Sequence, residues 1–329
     1  MKRTIYFKNK PTIVGVSSVG GPKECAGSLG DCIDTKLEDD MYGEETFERA
    51  ESKMLFTAIK NSIINSSKNE GDIDLIISGD LLNQIIASTF SARNFRSGYL
   101  GVYNACATFT EALTIGATMV DGGYLNNVVC ATSSHFSSAE RQYRYPLELG
   151  CTRPPQAQWT VTGAGASVIS IKGNGPKITA ATIGKVIDFG VVDANNMGAA
   201  MAPAGVDTLF THFKETGLTP SEYDLIVTGD LGTLGSRIFK DLMWEKGFDV
   251  EKQHVDCGEL VYNLCETEYQ GGSGAGCSSL VFNSYIYKKL NNREFKKIII
   301  MATGALLSSL SAQQGDSIPG IAHAVVVES

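Results

Sequence analysis

Cys106, in the run Asn104-Ala105-Cys106-Ala107, has a setting in which a thiol can become a nucleophile. Residues 99–103 form an apolar run that reads as a strand. Small and apolar side chains then recur at helical spacing through Met119 and stop at Asp121-Gly122-Gly123. The sulfur therefore sits on a strand-to-helix turn, where the unpaired amides of a helix N-terminus favour a thiolate. One cysteine among eight could equally be a buried packing residue. A second chemistry-bearing group follows His135, where Arg141 and Arg144, with Arg153 further on, gather in an otherwise acidic chain. Guanidinium forks suit bidentate capture of carboxylates, although such a loop could also be a solvated face or a subunit contact. His254 and Cys257 are closely spaced but have no second pair of ligands nearby in sequence, so no metal site is expected. His254 reads as structural, and His212, in the helical stretch 206–215, as a surface residue.

The elements that must position these residues alternate along the chain. Strands are expected at 11–16, 72–78, 99–103, 127–131 and 166–171, and a basic, proline-containing loop at 135–158. Between 45 and 67, Phe47, Ala50, Met54, Leu55, Ala58, Ile59 and Ile63 mark one face of an amphipathic helix. Strand and helix in alternation indicate a layered α/β fold. The 329 residues, 43% hydrophobic and 19% charged, suffice for two cores or one large duplicated core. A net charge of −8 with no Lys/Arg run argues against sequence-independent nucleic-acid binding. No apolar run approaches the roughly 20 residues of a membrane span. Residues 1–10 lack the apolar core of a signal peptide, and reduced, cytoplasmic thiols are expected. Work at a membrane would need something else to hold the protein there.

The second half of the chain repeats the first. Asp74-Leu75-Ile76-Ile77-Ser78-Gly79-Asp80-Leu81 returns as Asp224-Leu225-Ile226-Val227-Thr228-Gly229-Asp230-Leu231, 150 residues later. Cys106 matches Cys277, and Ala131-Thr132-Ser133 matches Ala302-Thr303-Gly304, both at an offset of 171. The stretch 11–20 matches 176–185 more weakly, at 165. Constant order with shifting offsets indicates one ancestral unit with loop insertions. The boundary falls between residues 1–175 and 176–329.

Two such halves, with a cysteine at the first strand-to-helix turn, resemble the thiolase superfamily, which implies a five-layered αβαβα sandwich from two duplicated halves. Thr162-Gly163-Ala164-Gly165-Ala166 is similar to a glycine motif of the ketoacyl-carrier synthase III enzymes, and Gly271-Gly272-Ser273-Gly274-Ala275-Gly276 to a late catalytic loop. Three catalytic partners of those enzymes are missing. Asp230 stands near an expected histidine, Gly271-Gly272-Ser273 where a histidine or asparagine belongs, and Ala302 at the second thiolase cysteine. A carboxylate such as Asp230 would raise the pKa of a neighbouring thiol. Gly79-Asp80-Leu81-Leu82-Asn83-Gln84, the run 139–146, Met201-Ala202-Pro203-Ala204 and the run 317–323 further resemble the stage V sporulation protein AD family. That resemblance implies a non-catalytic protein of the spore membrane machinery that moves dipicolinic acid, as its calcium chelate, into the developing spore and out at germination. It implies no cofactor, peripheral attachment to the spore inner membrane through other proteins of the dipicolinate channel, and a homodimer. The implied pocket gathers Cys106, His135, Arg141, Arg144, Asp230, Gly271, Gly272, Ser273 and His323. The alternative is an acyltransferase that uses Cys106 as nucleophile and His135 or His323 as a relocated base.

Overall fold

The computed structural model describes residues 2–143, 150, 152–263 and 270–329. Its main sheet follows one path across both halves of the chain. From the first-half edge inward the strands are Gly98–Gly101, Leu75–Gly79, Asn127–Ser134, Gly163–Ser170 and Thr12–Gly20. From the centre outward they continue as Lys177–Thr182, Gly320–Glu328, Lys297–Ala305, Leu225–Gly229 and His254–Asp256. Thr12–Gly20 and Lys177–Thr182 are innermost and the last strand of each half lies beside them, with the same parallel and antiparallel pairings along the path in both halves. The repeat seen in the residues is thus a repeat of topology. The two halves meet in the sheet through the pairing of Thr12 with Lys177 and through the N-terminal strand Thr4–Tyr6, which runs antiparallel to Lys177–Thr182.

Helices Thr108–Asp121 and Ala275–Val281 occupy the centre and touch strands of both halves. The second continues through a π-helical turn, Phe282–Ile286, into Tyr287–Asn291. The rings of Phe109 and Phe282 meet 5.7 Å apart where the two central helices cross the shared core. Helix Phe47–Asn65, capped by the Thr46 hydroxyl, covers the first half from outside, with Met54, Leu55, Ala58 and Ile59 fully buried. Helices Met197–Thr216 and Gly232–Glu245 cover the second half. Helix, sheet, helix, sheet and helix stack as five layers.

Two local expectations change. The stretch after His135 opens as a helix, Phe136–Tyr143, with the His135 carbonyl accepting from Ala139 N at 3.1 Å. Arg144 lies outside the described residues. His212 is fully buried, not on the surface. Its ring nitrogens meet the Thr182 hydroxyl and the Tyr223 phenol, each at 2.8 Å, because its helix face packs on the inner strands of the second half.

Candidate functional site

The turn that carries Cys106 is held in an unusual backbone state. Ala105 takes φ 51°, a left-handed conformation that costs a residue with a Cβ about 1–3 kcal/mol. Thr108 secures it, its hydroxyl donating to Ala105 O at 2.6 Å and accepting from Asn104 N at 3.0 Å. The main chain of Gly304 lies against the same turn, so close that a Cβ there would come within 2.3 Å of Asn104 O. Cys106 is thereby set two residues before the helix Thr108–Asp121, whose N-terminus has no side-chain cap. It is 6% exposed and faces a small chamber with Glu140, Tyr143, Thr160, Ser273 and Gly274. The chamber leaves about 40 Å³ for the centres of water-sized molecules, room for on the order of three waters.

One ion pair borders this chamber. Glu140, its side chain fully buried, accepts from the Thr160 hydroxyl at 2.8 Å and lies 3.2 Å from Arg153 Nη1. Arg153 also donates to Gln158 O and lies over the stacked rings of Phe136 and Trp159. Arg153 thus reaches the chamber through Glu140 and is not itself one of its lining residues. Arg141, about 100° round the helix from Glu140, turns away to Glu48.

The histidines do not assemble around the thiol. His135 is fully buried; its Nδ1 accepts from Ser137 N at 3.2 Å, so Nε2–H donates to Asp40 O at 2.8 Å, and its ring packs on Phe47. It holds the start of its own helix and does not line the chamber. His323 is nearer in the hydrogen-bond network: its Nδ1 accepts from Gly184 N at 3.2 Å and its Nε2 meets the Asn104 side-chain amide at 3.2 Å. Its contact is with the residue two before Cys106. His254 meets the Thr228 hydroxyl at 2.9 Å. Burial lowers the pKa of all four histidines, to about 4 for His212 and His323 and about 3 for His254.

Asp230 lies just behind the glycine-rich loop, with φ 72° and no exposure. Neither carboxyl oxygen has a hydrogen-bond partner; the Cys277 thiol and the Gly274 amide stand near but outside bonding geometry. Burial, then the neighbouring Asp256, push its pKa well above the usual carboxylate value, which favours the neutral acid. Its counterpart in the first repeat, Asp80, accepts from Leu82 N at 2.8 Å and Ser88 N at 2.7 Å. In the second half Asp256 has taken over those duties, accepting from Leu231 N and Gly232 N at 3.0 Å each. Cys277, the repeat partner of Cys106, is fully buried, and burial followed by Asp230 drives its thiol pKa up, so it stays protonated.

Of the late loop, Ser273 and Gly274 line the chamber, while Gly271 and Gly272 support it from behind through a two-stranded pairing with Trp159–Thr160. Tyr103, Thr160, Met197, Ala305 and Leu307 line the chamber outside the quoted motifs, while Glu140 and Tyr143 lie in the run 139–146 but are not among the residues expected in the pocket. Ala139, Glu140 and Tyr143 recur at helical spacing, a signal visible only once 136–143 is read as a helix. Among the described residues no group of three or more His, Cys, Asp or Glu could hold a metal ion, and no helix is long and apolar enough to cross a membrane.

Comparison with known proteins agrees with this architecture. The chain is 16% identical to an OleA variant from Xanthomonas campestris, with a TM-score of 0.63 over 98% of this chain and 99% of that one. It is 15% identical to a 3-oxoacyl-[acyl-carrier-protein] synthase III from Aquifex aeolicus, with a TM-score of 0.57 over 97% and 100%. These likenesses establish a thiolase-like fold. In sequence the chain is 41% identical to stage V sporulation protein AD of Bacillus subtilis (strain 168) across 327 residues, covering 99% of this chain and 97% of that protein. The model of the stage V sporulation protein AD (SpoVAD) family matches residues 1–328. With both halves, the cysteine turn and the glycine-rich loop inside that match, the chain belongs to the SpoVAD family.

Proposed function

We propose that this protein binds dipicolinic acid, pyridine-2,6-dicarboxylate, alone or as its calcium chelate, in the old nucleophile pocket, and that it catalyses no acyl transfer. The observation that carries this reading is the setting of Cys106: all four histidines of the chain are buried elsewhere, and none lines its chamber. Thiolate catalysis on a thioester needs a base and an oxyanion donor within hydrogen-bond reach. The carboxyl that does line the chamber, Glu140, is engaged by Arg153 and the Thr160 hydroxyl, and Asp230 lies behind the loop with its pKa raised by burial. What remains is a binding surface: the N-terminus of the Cys106 helix, which no side chain caps, for one carboxylate, and for the other the Arg153 guanidinium, which would exchange its Glu140 partner for the ligand. Membership of the SpoVAD family supports dipicolinate as the ligand and the spore membrane machinery as the setting. Docking to other proteins of the dipicolinate channel holds the protein at the spore inner membrane, and the protein works as a homodimer.

Calorimetric titration with dipicolinate, with and without calcium, tests this. The wild type should give saturable heat, and Arg153→Lys, which keeps the charge but loses the fork, should weaken binding about tenfold, about 1.4 kcal/mol. No heat under either condition overturns the reading. The strained Ala105 turn that presents the Cys106 sulfur favours the acyltransferase alternative. A stable acyl adduct on Cys106 after incubation with acyl-CoA, detected by mass spectrometry, would establish that alternative.

A further inference from the structure

The Cys106 chamber does not stand alone. On its outer side lies an open cavity of about 510 Å³, walled by Asn83, Gln84, Ile85, Gln142, Ser308 and Ser309. Tyr103, Tyr143 and Leu307 line both spaces. The Tyr143 hydroxyl donates to the Leu81 carbonyl, which uses its one proton, so the Tyr103 hydroxyl 3.2 Å away must be the donor to Tyr143. Two phenols chained to one backbone carbonyl thus separate a vestibule from a chamber. The chamber as it stands, about 40 Å³ for water-sized centres, is far below the roughly 300 Å³ typical of small-molecule sites. Chamber and vestibule together reach that size.

We propose that Tyr103 and Tyr143 form a door between the vestibule and Cys106, and that the vestibule is the outer half of the ligand site. The two rings are well suited to move. Tyr103 is 41% exposed, and the pair is held by the two hydrogen bonds just described. The wall beside the door is set in unfavourable backbone: Gln84 and Ile85 have φ 55° and 45°, a left-handed state that a β-branched side chain such as Ile85 rarely adopts. The Leu81 carbonyl that latches the door belongs to the same segment, next to Asp80, whose carboxylate fixes Leu82 N and Ser88 N. The vestibule lining carries amides and hydroxyls and no charged side chain among the described residues. It would solvate a planar polar ligand without trapping it by charge.

The proposal rests on the reading of the Cys106 chamber as a ligand site, but the door itself is testable without any ligand. The probe is the reaction of Cys106 with 5,5′-dithiobis(2-nitrobenzoate), a bulky aromatic disulfide, followed by peptide mapping, with iodoacetamide as a small comparator. Tyr143→Phe, which keeps the ring and removes both hydrogen bonds, should accelerate the aromatic reagent several-fold. Tyr143→Ala should accelerate it at least tenfold, and iodoacetamide less. Tyr124→Ala, at an exposed position remote from the chamber, should change neither rate. Unchanged Cys106 rates in both Tyr143 variants overturn the door. So does acceleration shared with the buried Cys257 and Cys277, which would report general loosening. Dipicolinate added to wild type and variants separates the two ideas. Protection of Cys106 supports the ligand reading, whereas faster labelling without protection keeps the door and removes dipicolinate as the occupant.

Discussion

Burial of a carboxyl group with few donors in bonding geometry favours the neutral acid, and Asp230 is such a group. Its pKa is raised on folding, so the native state holds a proton that the unfolded chain releases above about pH 4. The sign follows: this group's contribution to stability is full at low pH and falls as pH rises from about 4 toward the raised native value. Asp230→Asn replaces the neutral acid with a neutral isostere that tolerates the same left-handed backbone. The variant should melt higher than wild type at pH 8, with the gain shrinking toward pH 5, by differential scanning fluorimetry. A gain independent of pH would mean that Asp230 does not carry a raised pKa. Asp256 is the contrast. Burial raises its pKa to about 7, yet its carboxylate accepts four donors, the Thr228 hydroxyl and the amides of Leu231, Gly232 and Gly258. Asp256→Asn would oppose an amide N–H₂ to donors and should cost about 1–3 kcal/mol in urea titrations at pH 7.5.

At the scale of elements, the Cys106 turn depends on a neighbour that is silent in a motif search. The strand Lys297–Ala305 brings Gly304 against Asn104 and Ala107, and a methyl at Gly304 would lie 2.3 Å from Asn104 O and 3.0 Å from Ala107 N. Gly304→Ala should therefore cost about 1–3 kcal/mol by overpacking. It should also shift the turn enough to change the Cys106 alkylation rate. An unchanged melting temperature and an unchanged rate would show that the turn is held from elsewhere. The last strand contributes too: His323, paired with Ala302 across the sheet, reaches Asn104, so two second-half strands brace the first-half cysteine.

Over the whole molecule, the two repeats behave as one body because their central layer is shared. Helix Thr108–Asp121 packs on second-half strands as well as its own, and Ala275–Val281 does the converse. Phe109 is fully buried in the common cluster that joins them. Phe109→Ala should lose about 3–5 kcal/mol, and calorimetry should show one transition in wild type and variant alike. Two resolved transitions would mean that the halves fold separately.

The sequence alone determined the α/β class, the duplication and the place of Cys106, because each is written in local order: alternating periodicities, a repeated octapeptide and a strand–turn–helix junction. It also carried the family, since Met201-Ala202-Pro203-Ala204 and the run 317–323 are specific strings. What surrounds the thiol was decided by tertiary structure. His135 follows a strand near Cys106 in the chain, yet its ring turns to Asp40 O. Arg153, further along the chain, reaches Glu140, whereas Arg141, the immediate neighbour of Glu140, points about 100° round the helix to Glu48. His212 sits in a stretch that looks amphipathic, yet it is enclosed because strands distant in sequence cover that face. Spacing along a chain fixes which face of an element a side chain occupies. Which face meets the pocket depends on contacts between segments about 100 residues or more apart, such as Thr132 with Ala275 and Asn104 with His323, and these arise only when the layers pack.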